Sequence, residues 1–239
     1  MYWVAIVDDK DKDLQHHAKI VNETMDFELV GVFKSGIDII RYCKTKKKLP
    51  DIILMDIEMP NFDGLQTTDF LNSYFPQIKI IAVSSHGEDE MIADMLMCGV
   101  YGYVQKVKKD FNKRIASFDN ILKEALYAVA DNKKYLDGRF IECYKLPTPE
   151  ELIIMRQNEK NLQRKKFNIS KIEQELLLLS GAGLNYKQLG EICNKSPRTI
   201  EVQIKAIATK LDSGKGQLGL FSFSLRNNLI KLAKLFNSK

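Results

Sequence analysis

Five short apolar runs alternate with longer amphipathic segments along the first 137 positions of this chain, and each run ends at or beside a polar or charged residue. The runs are Trp3 to Val7, Phe27 to Phe33, Ile52 to Met55, Ile78 to Val83 and Gly102 to Val104. Runs this short and this continuously apolar fit strands buried on both faces. Between them Leu65, Phe70, Leu71 and Phe75 recur at helical spacing, as do Met91, Ile92, Met95 and Leu96. Ile115, Phe118, Leu122, Leu126 and Val129 make the longest stripe of this kind. The alternation predicts an α/β fold, a doubly wound parallel sheet of five strands with helices on both faces. Right-handed crossovers put all strand carboxyl ends on one edge, where ligands of open α/β sheets bind.

The residues expected at that edge are Asp8 and Asp9, Asp56, Ser84 and Lys106. Taken singly, each acid reads as the N-cap of a helix in a βα loop. Together they bring three carboxylates, a hydroxyl and an ammonium to one place. Clustered carboxylates repel one another, and a hard cation such as Mg²⁺ compensates that repulsion through a few carboxylate oxygens. One carboxylate is then free to act as a nucleophile towards phosphorus. The cation and Lys106 would neutralise the charge on the transferred oxygens.

Charge divides the chain in two. Residues 1–137 hold 18 Lys and Arg against 22 Asp and Glu, a net −4, whereas residues 138–239 hold 18 against 9, a net +9. An acidic front and a basic back suggest two domains with different partners, and a basic domain often meets phosphate backbones. The length of 239 residues is that of one to two domains. Four scattered cysteines, Cys43, Cys98, Cys143 and Cys193, disfavour a disulfide scaffold or a zinc site. No stretch approaches the ~20 apolar residues of a membrane span, and the first residues lack the pattern of a secretion signal. The expectation is a cytoplasmic protein without membrane contact.

The organisation expected is a front domain over 1–137, a linker with a helix over 138–167 and a helical domain over 168–239. Thr148 followed by Pro149 marks the start of the linker helix, which runs to about Lys166 with a modest stripe of Leu152, Met155, Leu162 and Phe167. Lys160 and Arg164 to Lys166 read as a solvated basic face. Ser170 with Glu173 forms a capping box ahead of Ile172, Leu176, Leu177 and Leu179. A second helix spans Tyr186 to Cys193, Asn194 to Pro197 turns, and a third helix runs from Ser196 and Pro197 to about Leu211. Two helices about a tight turn make a helix-turn-helix, whose second helix is suited to a DNA major groove. Gly214, Gly216 and Gly219 are expected to break the tail before a final helix carrying Leu225, Leu229, Leu232 and Leu235.

The segments Val7-Asp8-Asp9, Asp56 to Pro60 with Gly64, Val83-Ser84-Ser85 and Gly102 to Lys106 resemble the receiver domain of bacterial two-component response regulators. The resemblance implies a flavodoxin-like strand order. It implies that Asp56 is the phosphoacceptor, and that Asp8, Asp9, Asp56 and the backbone carbonyl of Glu58 hold Mg²⁺. It also implies that Ser84 and Lys106 bind the phosphoryl group and that Tyr103 is an aromatic switch. Val107 stands where many receivers carry Pro, so no cis peptide is implied there. Glu58 and His86 flank the site.

Residues 169–211 resemble the DNA-binding domain of LuxR/NarL-type regulators, through Gly183 to Ile192 and Ser196 to Lys205. That resemblance implies base contacts from Glu201, Val202 and Lys205 and phosphate contacts from Lys187, Arg198, Thr199 and Lys210. Glu201 and Gln203 stand where Lys and His are frequent. An acid can accept from a cytosine amino group, but it repels phosphate. The two resemblances together imply a transcriptional regulator that is not an enzyme beyond gaining and losing phosphate at Asp56. They imply a histidine kinase as donor, promoter DNA as target and a homodimer. The alternatives are a regulator that binds protein or acts without phosphate, and, more remotely, an aspartyl-phosphate phosphatase of the haloacid-dehalogenase kind using Asp9 and Asp11.

Overall fold

The computed structural model describes residues 1–46, 48–60, 62–85, 89–106, 117–137, 149–180, 184–214 and 216–226. The front part is a parallel sheet of strands β1 (Tyr2–Val7), β2 (Phe27–Phe33), β3 (Ile52–Asp56), β4 (Lys79–Ser84), β5 (Gly102–Gln105) and β6 (Tyr135–Leu136). Their order is β2-β1-β3-β4-β5-β6. The sheet therefore has six strands, not five. After the helix that follows β5 the chain returns alongside that strand, pairing Gly102 with Tyr135 and Tyr103 with Leu136. Two residues of Tyr-Leu are too short a run to stand out in sequence, and only the neighbouring strand makes them a strand.

The strict period of two along the strands decides which helices lie on which face. Val4 and Ile6 of β1, Ile52 and Leu54 of β3, and Ile81 and Val83 of β4 pack under α1 (Asp11–Asn22) and α5 (Phe118–Ala130). Ala5, Val7, Ile53, Met55 and Ala82 face the other way, towards α2 (Gly36–Thr45), α3 (Gly64–Tyr74) and α4 (Asp89–Met97). All of these strand residues are fully or almost fully buried.

The back part comprises α6 (Pro149–Phe167), α7 (Lys171–Leu179), α8 (Tyr186–Cys193), α9 (Pro197–Lys210) and α10 (Gly216–Arg226). Local chemistry starts each of the middle three. The Ser170 and Asn185 side chains form capping boxes with Glu173 and Gln188, and Ser196 accepts from the Thr199 N–H with Pro197 in the first turn. Asn194 ends α8 in the left-handed conformation (φ 52°), which turns the chain into α9.

These helices lie on α2 and α3, so their apolar cluster is continuous with that of the second sheet face. This packing overturns the expected solvated face of α6 at Lys160. That residue is buried, and its ammonium lies 2.5 Å from the Asp69 carboxylate of α3. Lys44 of α2 pairs with Glu175 of α7, and the Tyr74 hydroxyl donates to the Lys171 carbonyl at 3.2 Å. Leu162, expected on the apolar stripe, is 66% exposed. Phe167 meets Phe223 of α10 edge to face.

Gly214 and Gly216, at φ 88° and 66°, break the tail between α9 and α10, whereas Gly219 lies inside α10. A Cβ on Gly219 would stand 2.6 Å from the Ser213 carbonyl, so this glycine serves a close approach of backbones. Leu229, Leu232 and Leu235, Val107 and His86, and the glycines at 181 and 183 lie outside the described residues.

Candidate functional site

Four strand ends and one helix deliver the acidic pocket. β1 ends at Val7, so Asp8 and Asp9 follow at the sheet edge, and Asp56 is the last residue of β3. Ligand oxygens of Asp8, Asp9 and Asp56 lie within 4.8 Å of one another. Lys106 enters just beyond β5, placed by its N–H bond to the Ser84 carbonyl at 2.6 Å. Its ammonium donates to Asp8 Oδ2 at 2.7 Å, to Asp56 Oδ1 at 2.9 Å and to Asp13 Oδ2 at 2.9 Å. Ser84 ends β4 one residue beyond Val83, the register partner of Asp56, and is fully buried. Tyr103, in β5, is fully buried as well. Glu58 lies two residues beyond Asp56, in the loop leading to α3. A Cβ on Gly64 would stand 2.1 Å from the Asp56 carbonyl, so only glycine lets α3 start against this strand end.

Burial dominates the electrostatics. It pushes the Asp56 carboxyl up to about 7, with the Asp8 charge adding to the effect and Lys106 opposing it. Burial alone would weaken the proton affinity of Lys106, but Asp56 and the hydrogen bonds to Asp8, Asp56 and Asp13 outweigh it and hold the ammonium protonated. Two oxygens, Asp9 Oδ1 and Asp56 Oδ2, are buried with no hydrogen-bond partner among the described residues. An orphaned buried carboxylate oxygen is costly. Two of them, on acids whose oxygens converge, fit a hard divalent cation such as Mg²⁺ in donor type and in number.

The second candidate surface is α9 with the turn before it. Arg198, Thr199, Val202 and Lys205 are exposed, while Ile200, Ile204 and Ile207 are buried against the rest of the helical part. Lys187 of α8 is exposed beside the turn and lines a groove with Asn194, Lys195 and Ser196. Glu201 accepts from Lys205 at 2.6 Å, one turn along the same face. Lys210 is less available than a free phosphate contact: its ammonium lies 3.2 Å from both carboxylate oxygens of Glu173 in α7.

Residues 4–115 match the response regulator receiver domain family. The front domain is a receiver domain of that family. Over 229 residues, 95% of this chain and 98% of each relative, the chain is 28% identical to a response regulator protein VraR of Staphylococcus epidermidis. It is 25% identical over the same span to that of Staphylococcus saprophyticus. In fold it is similar to a LuxR-family two-component response regulator from Aurantimonas sp. (TM-score 0.52, 17% identity, 59% of this chain and 94% of that one). It is also similar to RcsB in a structure of two RcsB dimers bound to two parallel DNAs (TM-score 0.51, 21% identity, 93% of this chain and 96% of that one). The full-length relatives span both the receiver and the helical part.

The structure thus brings Asp8, Asp9, Asp56 and Lys106 into contact range and sets Ser84 at the same receiver edge. Two residues of the pocket's surroundings went unread in the sequence. Asp13 shares Lys106, and its only signal is a position four residues after Asp9, which an ordinary first-turn acid of α1 also has. His17, one turn further, is buried against Phe118 of α5 with ring centroids 5.4 Å apart. Burial brings its pKa down to about 4. A histidine among polar residues gives no sign of that burial until α5 covers it.

Proposed function

We propose that this chain is a phosphorylation-dependent, DNA-binding transcriptional response regulator of a two-component system. The single observation that carries the reading is the strand-end pocket, in which a buried Asp56 shares the Lys106 ammonium with Asp8. A carboxylate oxygen of Asp56 attacks the phosphorus of a phosphohistidine on a histidine kinase. The P–O bond forms as the P–N bond breaks, and the imidazole nitrogen leaves with the electron pair. Asp8, Asp9, Asp56 and the Glu58 carbonyl would hold Mg²⁺, which would supply neutralisation of charge on the transferred oxygens. Lys106 donates to the phosphoryl group, and the Ser84 hydroxyl follows it.

A phosphoryl group adds about −1.5 to −2 charges at Asp56. It shifts population only as far as Ser84, Lys106 and Tyr103 bind it differently in two arrangements. The shift governs homodimer formation and the docking of α9 in the major groove. Arg198, Thr199 and Lys187 meet phosphates while Glu201, Val202 and Lys205 face base edges. The chain works in the cytoplasm, and phosphoryl gain and loss at Asp56 is its only covalent chemistry. No described helix is long and apolar enough to cross a membrane.

Labelling with acetyl phosphate and Mg²⁺ tests the acceptor. Asp56→Asn abolishes the label, and continued labelling refutes the assignment. A mobility shift on promoter fragments tests the second half, since Arg198→Ala with Lys205→Ala removes it. The pairing of Lys205 with Glu201 and of Lys210 with Glu173 favours a second reading, a regulator that binds protein instead of DNA. Absence of any shift in the wild-type chain supports that reading, and a shift indifferent to both substitutions refutes α9 as the element that meets DNA.

A further inference from the structure

We propose that Asp13 is a positioning residue for Lys106, the one anchor of that ammonium that persists once the receiver pocket is loaded. The inference rests on the reading of Asp56 as phosphoacceptor. An ammonium has three donors, and Lys106 commits one each to Asp8 Oδ2, Asp13 Oδ2 and Asp56 Oδ1, at 2.7, 2.9 and 2.9 Å. Two of these acceptors have a competing use. Asp8 and Asp56 belong to the group whose oxygens converge within 4.8 Å and could hold a metal, and Asp56 gives an oxygen to phosphorus. Formation of the acyl phosphate also converts the Asp56 carboxylate into a neutral acyl group and moves the negative charge onto the phosphoryl oxygens. Asp13 is in neither position.

Asp13 is also fixed by its own element. It lies in the first turn of α1, its N–H bonds the Lys10 carbonyl at 3.0 Å, and Leu14 and His17 clamp the helix with their buried side chains. A carboxylate there is favoured by the helix dipole. Lys106 holds it ionised: burial pulls the other way, but the hydrogen bond and charge of Lys106 keep the Asp13 carboxyl below its usual range. Side-chain exposure of 27% against 12% for Lys106 puts the pair at the rim, with the ammonium reaching inward. When metal and phosphoryl draw Asp8 and Asp56 away, the Asp13 bond keeps the Lys106 side chain directed into the pocket with two donors free.

Asp13→Ala and Asp13→Asn in the full chain test this, since alanine suits a half-exposed helix position and asparagine keeps an acceptor oxygen. Three quantities are measured: the rate of labelling by acetyl phosphate with Mg²⁺, the affinity for beryllofluoride in Mg²⁺, and the affinity for Mg²⁺ alone. Loss of one charge-assisted hydrogen bond lowers the first two roughly tenfold in Asp13→Ala. Asp13→Asn recovers them to within about threefold, and Mg²⁺ affinity stays within about twofold in both. Labelling and beryllofluoride binding equal to or stronger than wild type in Asp13→Ala overturn the proposal. So does an asparagine variant no better than the alanine one, or a parallel fall in Mg²⁺ affinity. Asp56→Asn in the same assay separates this outcome from failure of the acceptor reading, because only the latter leaves that variant labelled.

Discussion

The receiver pocket and helix α9 both carry paired acids and lysines, and they differ in what surrounds the charges. In the pocket Asp8, Asp56 and Lys106 expose 1%, 3% and 12% of their side chains. On α9, Glu201 and Lys205 expose 41% and 66%. Buried charges hold one another in place because water cannot substitute for a lost partner. Exposed ones are interchangeable with water and salt, and pair weakly. The pocket is therefore built for a single small ligand at a fixed point. The helix offers a surface whose charges can exchange partners with water and salt. The interface between the two parts follows the pocket in this respect, because Lys160 and Asp69 are also sequestered.

Predictions sharpen that contrast. The largest effect is expected at Lys160→Met, which takes the ammonium away from the buried Asp69 carboxylate. Denaturant titration should show a loss of about 3–5 kcal/mol. A loss below 1 kcal/mol would mean that the Asp69 carboxylate does not depend on Lys160 for its compensation.

Next comes acid. His17 is held to about 4 in the fold against 6.5 in its ordinary state, so the unfolded chain binds more protons between those values. Stability from this group is present above pH 6.5 and is lost as pH falls towards 4, to the extent of about 3 kcal/mol. Asp56, pushed up to about 7, acts with the opposite sign in the absence of metal, its contribution fading as pH rises. The difference between wild type and His17→Leu isolates the histidine. Melts at pH 7 and pH 5 should show the variant losing less on acidification than wild type, and equal losses would refute a buried neutral imidazole.

Smaller effects belong to the exposed helix. Arg198→Ala should weaken DNA binding without altering sequence preference and reduce the slope of log affinity against log salt by about 0.9, the release expected for one phosphate contact. An unchanged slope removes Arg198 from the backbone contacts. The smallest expected effect is that of Glu201→Ala on stability, where the denaturation midpoint should stay at the wild-type value. A clear drop would place Glu201 in the same class as the receiver acids.

Much of the pocket was legible because strand ends and charges coincide in sequence. Apolar runs ending at Asp8, Asp56, Ser84 and Lys106 need only the parallel topology to converge. The helix-turn-helix was legible through its caps at Ser170, Asn185 and Ser196, since capping is decided within four residues. The sixth strand was not, because its two residues owe their conformation to pairing with Gly102 and Tyr103. Lys160 was misread as solvated for a related reason. Its helix has a weak apolar stripe, and nothing local says that α3 would cover it with Asp69.

The sequence by itself determined the alternation of strands and helices, the residues at the sheet edge and the helix starts, all of which depend on neighbours along the chain. The tertiary structure alone decided that Asp13 shares the Lys106 ammonium, that His17 is buried neutral under Phe118, and that Lys160 is sealed against Asp69. Each of these joins groups on different elements. Their energetics depend on how much water is excluded between surfaces, which periodicity along the chain does not encode.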